Sequence, residues 1–152
     1  MIPRPALEHH VKRMLMHDME LTYVDVQEDQ DGDFGVSTDD GVRVYARLIY
    51  DAAQVWVRLW TEAAHGLRPT VKLLREVNEI NRHHVGCRVL LTEDGTLVVA
   101  AEVRAESVEH GELGTLVGIL SDTVVEIGEL IQIVYGVAAP SPNDASRSAG
   151  TN

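Results

Sequence analysis

Two neighbouring segments of the chain carry arginine or aromatic side chains at alternate positions. The six residues are Arg43, Tyr45, Arg47, Trp56, Arg58 and Trp60, and they include both tryptophans of the protein. If each segment is a β-strand, its alternate side chains share one face of a sheet. Trp, Tyr and Arg are enriched at the energetic centres of interfaces, and arginine pairs well with carboxylates. The pattern predicts that this set, hereafter the Trp/Arg face, binds a client or a second copy of the chain.

The opposite face of the same two segments is entirely aliphatic. It carries Val42, Val44, Ala46, Leu48, Val55, Val57 and Leu59, so we expect it to belong to the hydrophobic core. The alternative for the Trp/Arg face is a second core face, covered by another helix of the same chain. An antiparallel sheet commonly covers only one face with its own helices, which favours the interface.

The histidines do not indicate a metal site. The pairs His9-His10 and His83-His84 are neighbours in sequence, and adjacent residues on a helix point about 100° apart. Such pairs do not easily share an ion, and the single Cys87 has no cysteine partner. Helix ends explain His83 and His84 better, because cationic side chains are favourable near a helix C-terminus. We expect neither a metal nor a cofactor.

An alternation of carboxylates from Asp29 to Asp33 resembles the opening of a calcium-binding loop. An EF-hand needs Gly at its sixth position and Glu at its twelfth, where this chain has Phe34 and Asp40. A preceding helix is also required, and the preceding residues favour a strand. We therefore interpret the segment as a solvated turn.

The sequence gives little support for catalysis. It contains no Gly-x-Ser-x-Gly motif and no glycine loop of the phosphate-binding type. Cys87 shares a strand face with Val89 and Leu91, which predicts a buried and inert thiol. Carboxylates are numerous, but none is singled out by an apolar setting. We expect a protein that is not an enzyme.

Helices and strands can be placed from hydrophobic periodicity. Helices are predicted over residues 5–18, 69–84 and 108–134, and strands over 21–26, 34–38, 42–50 and 54–61, followed by a hairpin around Asp94-Gly95. In the middle helix Pro69 would occupy the first position, and the apolar stripe would be Val71, Leu74, Val77 and Ile80. The order is α, several antiparallel β, α, ββ, α, which is typical of an α+β fold.

The final helix has two unusual features. Its seam repeats at intervals of three and four residues, through Leu113, Val117, Leu120, Val124, Ile127, Ile131 and Val134, and Ser107 could cap it. Its glycines, Gly111, Gly114, Gly118 and Gly128, are costly inside a helix. They predict either a close approach of another backbone or a break near Gly111.

Composition limits the classes of partner. The formal charge of -11 argues against nucleic acid and anionic membranes, and a single cysteine fits a reducing compartment. We expect one domain over residues 1–136 and a disordered, Pro/Ser-rich tail over 137–152. No secretory signal pattern or membrane-spanning stretch is present in the sequence, so a cytoplasmic location is expected.

The order of elements and the segment Leu73-Leu-Arg-Glu-Val-Asn-Glu-Ile-Asn81 resemble the YbjN family and the class I chaperones of type III secretion, grouped as TY-Chap domains. The resemblance implies an antiparallel or mixed sheet in the order α-β-β-β-α-β-β-α, with a packing or capping role for Asn78 and Asn81. It also implies a homodimer that binds a protein or peptide client without catalysis. The alternative left open is a small-molecule sensor or enzyme with a pocket between Asn78, Asn81 and the sheet.

Overall fold

The computed structural model of the protein describes residues 3–19 and 33–136. Its elements are α1 (Arg4–Asp18), β1 (Phe34–Ser37), β2 (Arg43–Asp51), β3 (Gln54–Ala64), α2 (Val71–His83), β4 (Arg88–Leu91), β5 (Leu97–Arg104) and α3 (Glu112–Tyr135), with a 3₁₀ turn at Ala105–Ser107 before α3. The strand predicted over 21–26 and the tail predicted over 137–152 lie outside the described residues.

The five strands form one sheet in the spatial order β1-β2-β3-β5-β4, and every neighbouring pair is antiparallel. The hairpin of β2 and β3 sets Tyr45 opposite Trp60. The crossover from β3 to β5 then sets Arg58 opposite Glu102. The predicted α+β fold and its order of elements are confirmed.

The core lies between one face of this sheet and the three helices. The inward residues of the central strands are aliphatic, as predicted, and include Val44, Ala46, Leu48, Val57, Leu59, Val99 and Ala101. They join one cluster with the buried side chains of α1, Leu7, Val11, Met14 and Leu15, and with the α3 seam from Leu113 to Ile131. The seam prediction holds except at its last member, because Val134 is exposed.

The start of α2 differs from the prediction. Thr70 is the N-cap, since its hydroxyl oxygen accepts the Leu73 N–H at 3.2 Å, so Pro69 lies before the helix. A hydroxyl cap satisfies a backbone donor that a proline at the first position would merely remove. The helix therefore begins two residues after Pro69, the first position predicted from the sequence.

The predicted apolar stripe of α2 is also partly wrong. Leu73 and Val77 are buried, but Val71 is 67% exposed and Leu74 is 50% exposed. The side of the helix that packs against the core carries Leu73, Val77 and the half-buried Ile80, at spacings of four and three residues. The α2 sequence contains two overlapping apolar stripes, and only the contacts with the sheet determine which of them is buried.

The beginning of α3 is capped from another element. Ser107 lies in the 3₁₀ turn, and α3 begins after Gly111, whose φ of 87° requires glycine. The Asp18 carboxylate, at the end of α1, accepts the N–H groups of Gly111 at 2.8 Å and Gly114 at 3.1 Å. The predicted break near Gly111 is thus confirmed, whereas Ser107 is not the cap.

The predicted close approach of another backbone is confirmed at some of the helical glycines and not at others. A Cβ on Gly114 would lie 3.0 Å from the Asp18 Cβ, and one on Gly128 would lie 3.7 Å from the Ala63 carbonyl oxygen. A Cβ on Gly118 would meet nothing within 4 Å. Gly114 therefore permits the contact between α1 and α3.

The loop between β4 and β5 is longer than a two-residue turn. It runs from Thr92 to Thr96, with the Gly95 N–H donating to the Thr92 carbonyl at 3.1 Å. Only Gly95 has a positive φ, at 83°, while Asp94 accepts hydrogen bonds from the Thr92 hydroxyl and the Thr96 N–H. The hairpin was predicted correctly, and its aspartate acts through its side chain rather than through a left-handed backbone.

Candidate binding surface on the outer face of the sheet

The outer face of the sheet, opposite the three helices, carries the complete Trp/Arg face. Its six residues alternate with the core residues along β2 and β3, as the pattern predicted. Arg58 is exposed and the other five are half-buried. Within residues 3–19 and 33–136 no helix covers this face, because all three helices belong to the core on the other side.

An aromatic stack lies at the centre of the outer face. The rings of Tyr45 and Trp60 are stacked, with centroids 5.5 Å apart and planes inclined by 24°. The Arg47 guanidinium lies 5.6 Å from the Trp60 ring centroid, and that of Arg43 lies 5.9 Å from the Tyr45 ring. These cation–π contacts contribute to the half-burial of Trp60, which no described helix covers. The aromatic group is thus held in place before any partner arrives.

Asp33 fixes Arg47 in this arrangement. The guanidinium donates to both carboxylate oxygens of Asp33, at 2.5 and 2.6 Å. The interpretation of Asp33 as part of a solvated turn is wrong, because the residue is only 1% exposed. A bidentate pair orients a guanidinium as well as neutralising it. Asp29 and Asp31 lie outside the described residues.

Gly35 makes room for Arg43. A Cβ on Gly35 would lie 2.5 Å from the Arg43 Nη2 atom, so the arginine side chain passes directly over the glycine. The Arg43 Nη1 group also lies 3.4 Å from the Ser37 hydroxyl oxygen. The edge strand β1 therefore helps to define where the Arg43 guanidinium lies.

The outer face continues onto β5 and β4 through residues that the sequence analysis did not single out. Glu102 receives a hydrogen bond from Arg58 at 2.7 Å and pairs with Arg88 at 3.1 Å. Arg104 is exposed and lies opposite Trp56 in the strand register. Alternation within 88–104 was visible in the sequence, but the strand order that sets β5 beside β3 was not.

Among the described residues, the charge of the outer face differs in sign from that of the whole chain. Five arginines, Arg43, Arg47, Arg58, Arg88 and Arg104, stand against four carboxylates, Asp33, Asp51, Glu62 and Glu102. The described part of the face therefore has a surplus of one positive charge in a protein of formal charge -11. Local potentials steer partners independently of net charge, so this surface favours an acidic one.

The two asparagines of α2 have different roles. The Asn81 amide pairs with the backbone of Val89, donating to its carbonyl at 3.0 Å and accepting its N–H at 2.6 Å. Asn81 therefore ties α2 to β4 as a neighbouring strand would. Asn78 is exposed. Because both polar atoms of Asn81 are used, the pair does not converge on a ligand pocket of the kind that the small-molecule alternative requires.

Cys87 is half-buried, with its Sγ 3.6 Å from the Thr123 Oγ1 atom. The prediction of a buried thiol is therefore only partly confirmed, since Val89 on the same face is buried but Cys87 only packs against the edge of the core. Both His83 and His84 contact backbone carbonyls in the last turn of α2 through their Nδ1 atoms, at 2.8 and 3.0 Å, as expected at a helix end. Among the described residues, no helix is long and apolar enough to cross a membrane.

Apolar side chains are also exposed on the helix side. They include Val71 and Leu74 of α2 and Val125, Leu130, Ile133 and Val134 of α3. The start of α2 and the end of α3 lie side by side, because the Tyr135 hydroxyl donates to Glu76 at 2.7 Å and Lys72 lies 5.8 Å from the Tyr135 ring centroid. Isolated exposed apolar residues are normal, but a group at one end of the molecule marks a second candidate contact surface.

Three solved structures share the fold. A chain of the ExsC–ExsE complex matches with a TM-score of 0.60 and 18% identity, over 82% of this chain and 95% of that one. The Yersinia pestis type III secretion chaperone SycH, in complex with a stable fragment of YscM2, matches with a TM-score of 0.55 and 16% identity, over 79% of this chain and 98% of that one. The heterodimeric ExoU–SpcU complex from the type III secretion system of Pseudomonas aeruginosa matches with a TM-score of 0.51 and 15% identity, over 69% of this chain and 87% of that one. At these identities the likeness concerns the fold alone. No curated protein matches the sequence.

A protein family matches nearly the whole described fold. It is TY-Chap1, described as "T3SS (YopN, CesT) and YbjN peptide-binding chaperone 1", and the match covers residues 5–137. This finding confirms the resemblance inferred from the order of elements and from the Leu73–Asn81 segment. The chain therefore belongs to the TY-Chap1 family of peptide-binding chaperones.

Proposed function

We propose that this protein is a non-enzymatic, chaperone-like binding protein that holds a segment of a protein client against the outer face of its sheet. The observation that carries the proposal is the preformed stack of Tyr45 and Trp60 on a sheet face that no described helix covers. A surface with ordered aromatic rings and fixed arginines loses little side-chain entropy when a partner binds. Such pre-organisation is expected of a binding site and has no use on a solvated face.

The chemistry of the surface favours a client segment that combines acidic and apolar side chains. Apolar groups would pack on the half-buried rings of Trp56 and Trp60, and carboxylates would pair with arginines of this face. Of the five arginines on the outer face, Arg43 and Arg104 have no carboxylate contact among the described residues. Binding should therefore weaken as salt is added, since partly exposed charges are screened.

Membership of a peptide-binding chaperone family supports a peptide client. The three similar structures were each determined as a complex with a protein partner. The outer face supplies the part of the proposal that is specific to this sequence.

An array of short peptides tests the client chemistry. We expect binding to peptides in which acidic residues alternate with Leu or Phe, and not to matched peptides with Lys in place of each acidic residue. Trp56→Ala combined with Trp60→Ala should abolish this binding while leaving the far-UV CD spectrum intact. Arg58→Ala should weaken it, whereas Arg75→Ala, an exposed arginine on α2, should not.

Two results would overturn the proposal. If the double tryptophan variant unfolds, the rings are structural core and the face is not a binding surface. If Arg58→Ala and Arg75→Ala weaken peptide binding equally, the interaction is not located on the outer face. Because Arg58 is exposed, its variant stays informative even if the tryptophan variant fails to fold.

We also propose that the protein is a homodimer and that the second copy docks on the helix side. The exposed Val71, Leu130 and Ile133 lie at the neighbouring ends of α2 and α3, and Ile133 is 83% exposed. A contact between identical copies here would leave both outer faces open for clients. The alternatives, a dimer through the Trp/Arg face or through both surfaces, would close the client site.

Light scattering coupled to size exclusion distinguishes these arrangements. Ile133→Asp with Leu130→Asp should convert a dimer into a monomer, because a charge in an apolar contact is strongly unfavourable. Trp60→Ala should leave the dimer intact. A monomeric native protein, or dissociation by Trp60→Ala alone, would contradict the proposed arrangement without affecting the peptide assay.

A further inference from the structure

Three side chains of the types that bind transition metals meet where α1 ends and α3 begins. They are His17, Asp18 and His110, and one ligand atom from each lies within 4.8 Å of the other two. The rings of His17 and His110 have their centroids 4.6 Å apart, with planes inclined by 56°. Neither histidine belongs to the adjacent pairs visible in the sequence, and only the fold brings the two together.

The third member of this cluster is held rigidly. The Asp18 side chain is fully buried and accepts the N–H groups of Gly111 and Gly114, one on each carboxylate oxygen. A carboxylate has about four lone-pair positions, so these two bonds leave acceptor capacity on both oxygens. Burial raises the pKa of Asp18, but the two N–H donors and the nearby His17 outweigh it and hold the pKa below its usual value. The group is therefore anionic at neutral pH.

The surroundings of the cluster suit a cation. His17 is 67% exposed, and His110 lines an open cleft of about 580 Å³ together with Glu109 and Glu112. The partial positive charge of the α3 N-terminus opposes a cation, but Asp18 and Glu112 offset it. Solvent, ions and a coordinating water can all reach the two imidazole rings.

We propose that His17, Asp18 and His110 form a binding site for a divalent transition-metal ion, with zinc as the favoured ion. Two neutral imidazoles and one carboxylate are donors that zinc accepts readily, whereas calcium and magnesium prefer oxygen donors throughout. With bonds of about 2.0–2.2 Å, tetrahedral donors lie about 3.4 Å apart. The ligand atoms now lie within 4.8 Å of one another, so the two exposed histidine side chains would have to move closer to bind the ion, with water in the fourth position. The bound ion would link the end of α1 to the start of α3.

Calorimetric titration of the metal-free, untagged protein with zinc chloride tests the site. We expect one ion bound per chain, and binding weakened at least about tenfold in His17→Gln and in His110→Gln. His10→Gln is the matched control, because His10 is an exposed histidine of α1 outside the cluster. Magnesium and calcium chloride should give no saturable binding.

Thermal unfolding gives a second test, which measures the stability of the protein rather than the binding of the ion. Zinc should raise the Tm of the native protein and of His10→Gln, but not that of His110→Gln, because an ion held by the native state alone stabilises it. No saturable zinc binding, or equal affinities for the native protein, His17→Gln and His110→Gln, would overturn the proposal. Equal weakening by His10→Gln and His17→Gln would also overturn it, by showing a diffuse histidine effect.

Discussion

The two faces of this sheet are built on the same strands but are held by different kinds of contact. Along β3 the fully buried Val57 and Leu59 alternate with Trp56, Arg58 and Trp60, which keep contact with solvent. The inner side chains are aliphatic and pack against three helices. The outer side chains are held by stacking, cation–π contacts and ion pairs with their neighbours.

Under the proposed function, one backbone separates stability from recognition. An inner residue cannot be removed without leaving a cavity, since the helices above it are fixed by many other contacts. An exposed outer residue such as Arg58 can be replaced with little effect on folding, yet its replacement alters the shape and charge of the outer face. We therefore expect substitutions on alternate positions of one strand to act on different measurements.

The largest effect on stability is expected from Leu59→Ala. Leu59 is fully buried at the centre of the core, and such truncations cost about 2–5 kcal/mol in the free energy of unfolding. Its neighbour Arg58 is exposed, so Arg58→Ala should cost less than about 1 kcal/mol. Equilibrium urea denaturation measures both. Similar losses for the two variants would erase the distinction between the faces.

The helix side also depends on a polar anchor, Asp18. Asp18→Asn should lower the free energy of unfolding by about 2 kcal/mol at neutral pH, because an ionised carboxylate caps α3 through two N–H groups. The pKa of Asp18 is lower in the folded state, so its contribution is complete above the unfolded pKa of about 3.9 and is lost as pH falls through the folded value.

The stability difference between the native protein and Asp18→Asn should accordingly be constant from neutral pH to about pH 5 and shrink below about pH 4. Denaturant titrations over this range measure it. A difference that stays unchanged into strong acid would mean that the charge of Asp18 contributes nothing and that only its shape matters.

A smaller effect distinguishes the two asparagines of α2. Asn81→Ala leaves the backbone N–H and carbonyl of Val89 without their side-chain partner, which should cost about 1–2 kcal/mol. Asn78→Ala changes an exposed position and should cost less than about 0.5 kcal/mol. Thermal unfolding of the two variants makes the comparison. Equal losses would show that Asn78 has a structural role beyond its exposed position.

Features encoded by near neighbours in the chain were predictable. Alternation along β2 and β3 was sufficient to separate the core face from the Trp/Arg face, because strand geometry assigns alternate residues to opposite sides. The order of elements followed from hydrophobic periodicity, and the family resemblance was inferred from that order. The half-burial of Trp56 and Trp60 was not predictable in this way, since it depends on side chains from neighbouring strands.

Features that depend on distant residues were not predictable. Asp18 and Gly111 are 93 residues apart, and nothing in the local sequence marks Asp18 as the cap of α3. Arg47 and Asp33 meet only because β1 pairs with β2 in a particular register. The inward side of α2 was likewise ambiguous, because Val71 and Leu74 compete with Leu73 as the apolar stripe until the sheet is in place.

The central claim, that clients bind the outer face, can be tested with the protein's own fluorescence. Both tryptophans, Trp56 and Trp60, lie on that face, so their emission reports contact there and nowhere else. We predict that an acidic peptide from the array shifts the tryptophan emission to shorter wavelength, with the same Kd that calorimetry gives. Dilution of the dimer should leave the emission unchanged. Saturable peptide binding by calorimetry with no change in tryptophan emission would contradict the account.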